Sequence, residues 1–186
     1  MHKLRTIEMS RLTVGEFKAS RKIPLVVVLD DVRSAYNVGS VFRTGDAFRI
    51  ERVCLCGITA TPPSAEIHKT ALGGEDSVDW TYYKDTADCV AALRERGYSV
   101  WSVEQVDHSV KLNRLDEVTI PGADGHGGVA VVFGNEVKGV RQDIVDMSDA
   151  CLEIPQFGTK HSLNVSVTAG IVIWEFARRL MTSLRG

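Results

Sequence analysis

Residues 154–174 read IPQFGTKHSLNVSVTAGIVIW, a polar loop carrying Gly158, Ser162 and Asn164 that runs straight into a long apolar helix. The first amides of a helix lack intrahelical acceptors. Such a loop therefore suits a small polar ligand held largely by main chain, with the Ser162 hydroxyl and the Asn164 amide beside it. Two earlier segments share the design: NVGSVFRTGDAF at 37–48 and FGNEVKGV at 133–140 each follow an apolar, strand-like run and place Gly beside Asn, Arg or Glu. Gly134 and Gly139 half-match a phosphate loop. Val140 and Arg141 stand where a P-loop requires Lys and Ser/Thr, which removes that reading.

Each polar residue has an ordinary structural role available beside a chemical one. Asn37 sits where a loop gives way to an apolar-periodic stretch (Val38, Val41, Phe42, Phe48), the place of a helix N-cap. Arg43 follows on the same expected helix but off its apolar stripe, as a solvated charge or as a group that acts on a reacting oxygen. Glu136 is expected just past a strand end, either as a plain loop carboxylate or placed to orient Arg43 or to accept a hydrogen bond from a ligand. Gly134 and Gly139 suit tight turns and close ligand approach, with Asn135 bonding inside the loop. Lys138 is a phosphate contact or a solvated lysine.

Taken together, N-x5-R (Asn37, Arg43), G-N-E-x-K-G (residues 134–139) and I-P-x-x-G-x-x-x-S-L-N-V (residues 154–165) resemble the three motifs of the SpoU (TrmH-like) family of RNA ribose 2′-O-methyltransferases, in the SPOUT class. The resemblance covers roughly residues 25–180. It implies S-adenosylmethionine as cofactor, tRNA or rRNA as substrate, and a catalytic set of Arg43, Asn37, Glu136, Ser162 and Asn164. It implies that backbone groups of Gly134, Ile154 and Leu163 hold the cofactor, joined by the segment Val103, Glu104 and Gln105. Ile154 and Leu163 are equally of a type that fills a core. It also implies a Rossmann-like sheet whose C-terminal part forms a deep trefoil knot, and a homodimer with the site near the subunit contact. Asp31 departs from the Asn that relatives often carry, which bears on local hydrogen bonding. His68, in AEIHKTALGG, lies in a segment similar to one in close relatives and would sit near RNA. His161 is a loop histidine or a group that influences proton handling, and His126 falls in the stretch GADGHGG.

Methyl transfer from a sulfonium needs the ribose oxygen held in line with the S–CH3 bond, so positioning matters more than activation of the electrophile. The donor already carries positive charge and no metal is called for. Cys54, Cys56, Cys89 and Cys151 lack zinc-ligand spacing, and the five histidines form no metal-like cluster. A guanidinium with a pKa above about 12 is a poor base. Arg43 is better suited to gripping the adjacent phosphate or the hydroxyl oxygen and stabilising the developing alkoxide. Two other functions remain open on the residues: a SPOUT-class RNA base methyltransferase, and a catalytically silent RNA-binding or assembly factor that keeps the fold.

The elements that must position these residues are legible in outline. Runs at 25–30, 52–56, 98–103, 129–134 and 151–154 are short, β-branched and continuously apolar, as strands covered on both faces are. Helical patterns lie between them at 38–48, 65–72, 86–96 and 140–147, and a last one spans 163–181. This alternation predicts an α/β fold with a mainly parallel sheet, and the motif loops should converge beyond the carboxyl ends of its strands. The last helix carries Val165, Val167, Ile171, Val172, Trp174 and Phe176, too much apolar surface for one narrow stripe. Burial between the core and a second subunit accounts for it, as does burial wholly within one subunit.

With 186 residues and 44% hydrophobic content the chain can bury one substantial core. The net charge of −2 hides a segregation: residues 1–24 carry six Lys/Arg against Glu8 and Glu16, a net +4 that leaves −6 for the remainder. We accordingly divide the chain into a basic N-terminal leader, residues 1–24, and a methyltransferase domain, residues 25–186. A basic arm on a mildly acidic body supplies phosphate contacts for RNA, or is a solvated tail. No segment has the form of a targeting peptide or of a membrane span, and the cysteines read as buried, reduced thiols, so a cytoplasmic location is expected.

Overall fold

The computed structural model describes residues 2–5, 11–122 and 127–181. Glu8 and His126 lie outside the described residues. Seven strands form one sheet: β1 (Ile23–Asp30), β2 (Ile50–Cys56), β3 (Asp79–Tyr83), β4 (Tyr98–Val103), β5 (Val110–Lys111), β6 (Gly128–Phe133) and β7 (Ala150–Glu153). Their order is β3-β2-β1-β6-β4-β7-β5, and all six pairings are parallel. Helices α1 (Val14–Ala19), α2 (Ala35–Phe48), α3 (Ala65–Ala71), α4 (Gly74–Ser77), α5 (Thr86–Glu95), α6 (Gln142–Met147) and α7 (Val165–Leu180) complete the α/β architecture.

Successive side chains of a strand point to opposite faces, so one strand feeds two cores. Leu25, Val27 and Leu29 of β1 join one apolar cluster with α2, α3 and α7, whereas Val26 and Val28 join a second with α5 and α6. Every residue of β6 is buried, which explains why its sequence reads as an unbroken apolar run. Trp101 of β4 meets Phe176 of α7 edge to face, with ring centroids 5.8 Å apart.

The register levels the strand ends that matter. Leu29 pairs with Phe133 and Val103 with Leu152, so the chain leaves β1, β6, β4 and β7 along one edge of the sheet.

Several expectations are corrected. Strands β3 and β5 carry no continuous apolar run: β3 is an edge strand with exposed and half-buried residues, and β5 has only two residues. Helix α2 begins at Ala35, capped by the Ser34 hydroxyl, which accepts from the Asn37 amide; Asn37 is therefore inside the helix and not its cap. Leader residues 14–19 form α1, with a Thr13–Glu16 capping box and Phe17 buried in the main core. Helix α7 buries Val172, Ile173 and Phe176 completely but leaves Val167, Ile171 and Trp174 at 52%, 38% and 48% exposure. Burial wholly within one subunit therefore does not account for its apolar surface.

Candidate active site

The loop after β6 is built on a close approach that only glycine permits. A Cβ on Gly134 would lie 2.1 Å from the carbonyl carbon of Gly139 and from the amide nitrogen of Val140. Asn135 and Gly139 exchange both main-chain hydrogen bonds, at 3.0 and 2.8 Å, and Gly139 adopts φ +72°. The Asn135 side chain accepts from the amides of Val137 and Lys138 and donates to the carbonyl of Asp31 at 2.8 Å. Asp31 itself is left-handed, a conformation its residue type tolerates, and its Oδ1 accepts from the Ile58 amide at 3.0 Å. An aspartate thus satisfies local bonding at this position.

This loop presents Glu136 to the start of α2. Its carboxylate accepts from the amides of Arg33 (2.9 Å) and Ser34 (3.0 Å) and from Asn37 Nδ2 (2.9 Å). Burial opposes ionisation of Glu136, but these donors together outweigh it and hold the carboxyl below its ordinary range. Asn37 is buried at 8% exposure, and its Oδ1 accepts from Asn164 Nδ2 at 3.3 Å. Asn164 in turn caps α7, with Oδ1 accepting from the amides of Ser166 and Val167. Two of the first-turn amides that the sequence left open to a ligand are therefore taken by the helix's own cap. The chain Glu136–Asn37–Asn164 ties one residue of each motif into a single network.

Beside this network opens a pocket of about 710 Å3, lined by the segments after β4, β6 and β7 and by the start of α7. Val103, Glu104, Gln105, Gly134, Glu136, Ile154, Ser162, Leu163 and Asn164 all line it. Glu104 fixes two walls to each other, its carboxylate accepting from the amides of Gln105 (2.9 Å) and Val140 (3.0 Å). Gln105 reaches across to the third loop, donating from Nε2 to the carbonyl of His161 at 2.9 Å. Ile154 packs against the core and lines the pocket, so its two readings hold together. Leu163 is 39% exposed and is not a core residue.

Arg43 does not join these residues. Six positions beyond Asn37 is about 9 Å along a helix axis. Arg43 is exposed, lies outside the pocket lining, and forms no hydrogen bond or ion pair within the described residues. Glu136 is turned to Asn37 and two backbone amides, so it does not orient Arg43. His68 is exposed and pairs through Nδ1 with Glu75 at 2.5 Å. Residues that sequence spacing missed include Thr168, Gln156 and Gln142 of the pocket wall and the amides of Arg33 and Ser34. No local signal marks them, because each enters through tertiary proximity.

Among the described residues no group of three or more His, Cys, Asp or Glu is gathered to hold a metal, and no helix is long and apolar enough to cross a membrane. Cys54, Cys56 and Cys89 are fully buried and Cys151 is half-buried.

Residues 24–174 match the model of the SpoU rRNA Methylase family. The chain is 28% identical over 171 residues to the 23S rRNA (guanosine-2′-O-)-methyltransferase RlmB of Vibrio cholerae, covering 91% of this chain and 65% of that protein. It is 27% identical over 172 residues to the tRNA (guanosine(18)-2′-O)-methyltransferase of Thermus thermophilus, covering 92% and 84%. Among solved structures, the AdoMet-bound rRNA methyltransferase from Sinorhizobium meliloti is similar with a TM-score of 0.74 and 26% identity, covering 87% of this chain and 61% of that one. The chain thus spans less than two thirds of the length of the RlmB-type relatives it matches, between 56% and 65%.

Proposed function

Because the chain belongs to the SpoU rRNA Methylase family, we propose that it is an S-adenosylmethionine-dependent 2′-O-ribose methyltransferase acting on tRNA or rRNA in the cytoplasm. The observation that carries this reading is the joining of all three motifs at one pocket, through Glu136, Asn37 and Asn164. The pocket's size falls within the range of roughly 300–1,000 Å3 usual for small-molecule sites. Its wall fits the cofactor's chemistry, with Val103, Leu152, Ile154 and Leu163 for an apolar ring and the side chains of Gln105, Gln156 and Asn164 for polar groups. Backbone groups of Gly134, Ile154 and Leu163, with Val103, Glu104 and Gln105, would hold it.

When bound, S-adenosylmethionine supplies a methyl group made electrophilic by its sulfonium. The chain's own residues then have distinct tasks. Glu136 stays ionised at neutral pH and locks the first motif to the second, so Asn37 and Asn164 present a fixed polar wall. Ser162, exposed at the pocket lining, faces the target ribose. Arg43, exposed and without an ion pair among the described residues, takes the phosphate next to the target or the hydroxyl oxygen and stabilises negative charge as the proton leaves to a neighbour or water. Its place outside the pocket means that RNA spans the distance from α2 to the pocket mouth, within one subunit or between two.

A homodimer belongs to the same reading, supported by the half-exposed apolar stripe of Val167, Ile171 and Trp174 on α7, of which Trp174 meets only Phe48 with its ring, at 5.5 Å between centroids among the described residues. So do a C-terminal trefoil knot, in keeping with family membership, and the division into a basic leader (residues 1–24) and a methyltransferase domain (residues 25–186), the end of the leader joining the domain's core through Phe17 and Ile23. Mapping 2′-O-methylation in RNA from cells with and without this protein tests the function. A ribose methylation that disappears with the protein is expected; an unchanged map opposes the reading and favours the silent assembly factor.

A further inference from the structure

Four non-glycine residues among the described residues adopt positive φ: Asp31, Arg49, Leu72 and His108. Aspartate and histidine tolerate this conformation, and Arg49 is half-buried at the end of α2. Leu72 is different. It ends α3 at φ 51° and ψ 40°, a position that glycine or asparagine fills at lower cost, yet its side chain is 62% exposed and recovers little by packing. A left-handed backbone carrying an exposed aliphatic group calls for a use outside the fold.

The surroundings of Leu72 are built flush against α2. A Cβ on Gly39 would lie 2.2 Å from the Ile67 carbonyl oxygen and the Thr70 hydroxyl, and one on Gly74 would lie 3.1 Å from Arg43 Cα. The segment from Ile67 to Gly74 therefore runs along α2 from Gly39 to Arg43, with Leu72 between. Thr70 also donates to the Tyr36 carbonyl at 2.9 Å. Tyr36, Ser40 and Arg43 share one face of α2 by helical spacing, and Tyr36 is 45% exposed. Lys69 lies one turn before Leu72. Arg43 and Lys69 are both exposed and form no ion pair within the described residues, while Glu75 is engaged by His68.

We propose that Leu72 and Tyr36 form an apolar and aromatic platform for unstacked nucleobases of the RNA substrate, with Arg43 and Lys69 taking the flanking phosphates. The proposal rests on the RNA-modifying function proposed above and names the surface that receives the strand. An exposed aromatic beside unpaired cations is the arrangement by which proteins hold single-stranded RNA, the bases meeting the ring and the aliphatic group while phosphates meet the charges. A second copy of this chain is the competing occupant, and its docking would need neither cation.

The test measures binding of total tRNA and of a labelled mixed-sequence single-stranded oligoribonucleotide at several salt concentrations. Leu72→Gly relieves the backbone and should fold at least as well as the parent. It is expected to weaken RNA binding by roughly tenfold with the salt slope unchanged, because the substitution removes apolar surface and leaves every phosphate-binding cation in place. Tyr36→Ala should act in the same direction. Lys69→Ala should instead reduce the slope of log K against log salt by roughly 0.7. Parental RNA affinity in both Leu72→Gly and Tyr36→Ala overturns the platform, as does a loss of self-association in Leu72→Gly, which assigns the surface to a second copy. If the parent transfers methyl groups to RNA while both variants bind normally, the platform alone fails; if the parent binds no RNA, the proposed function fails with it.

Discussion

Asn37 and Glu136 stand 99 positions apart in sequence, yet the Asn37 side-chain amide donates to the Glu136 carboxylate at 2.9 Å. This bond joins the helix after β1 to the loop after β6, and parallel strands make it possible because both elements leave the sheet at the same edge. It explains why two motifs that are weak alone form one site.

Loss of the carboxylate should be felt in both stability and activity. Glu136→Ala strands three donors, and we expect denaturant unfolding to report a stability decrease of about 1–3 kcal/mol together with weakened methyl transfer. Glu136 has a folded pKa below its unfolded value, so its contribution is present above the ordinary carboxylate range and is lost as pH falls through the folded value. The stability gap between the parent and Glu136→Gln should therefore be widest at neutral pH and close below about pH 4. A gap independent of pH would show that ionisation of Glu136 plays no part.

Gly134→Ala should displace the loop after β6, since its Cβ would overlap Gly139 and Val140. Calorimetry with S-adenosylhomocysteine should show markedly weaker binding, and unfolding should report a cost of about 2–3 kcal/mol. Parental affinity would mean that this loop does not wall the cofactor pocket.

Arg43→Ala should leave stability within about 0.5 kcal/mol, because the side chain is exposed and makes no hydrogen bond or ion pair within the described residues. Cofactor affinity should change no more than a few-fold, while methyl transfer should be largely abolished. Arg43→Lys should restore little, since an ammonium lacks the planar fork. Near-parental turnover in the alanine variant would remove Arg43 from the reaction.

The basic leader has a natural limit for truncation. Deleting residues 1–20 would remove Phe17 from the core, whereas deleting residues 1–11 spares the Thr13–Glu16 cap and α1. The shorter truncation should weaken RNA binding and lower the salt slope by roughly 0.7–0.9 for each phosphate no longer neutralised, with cofactor binding intact. An identical slope would show that these residues make no phosphate contact.

How far the sequence shows this arrangement depends on the range of each signal. Strands β1, β2, β4 and β6 are legible because burial on both faces demands apolar residues in succession, whereas in β7 only Leu152 is fully buried and the short run Cys151–Ile154 alone marks it. The edge strand DWTYY at Asp79–Tyr83 has no fully buried residue, and the two-residue strand Val110–Lys111 has no length for a pattern. The pocket residues Gly134, Ile154, Leu163, Glu104 and Gln105 are reached through motif resemblance, and the structure brings them together. What cannot be read from the sequence is partner choice: Glu136 faces Asn37 and the amides of Arg33 and Ser34 rather than Arg43, because helix rise carries Arg43 away from the strand ends. Likewise Ser34, one residue before the helix, wins the cap that Asn37 is equally suited to take, and frees Asn37 to bridge Glu136 and Asn164.

Ribose methylation leaves a linkage that alkali cannot cleave, whereas base methylation does not protect it, so the most direct measurement is the fate of a labelled methyl group. Purified protein would be incubated with methyl-labelled S-adenosylmethionine and separately with total tRNA and ribosomal RNA, and the product hydrolysed in alkali. Label in alkali-resistant dinucleotides, dependent on Arg43, is expected. Label confined to mononucleotide bases, or cofactor binding with no transfer to either RNA, would contradict it.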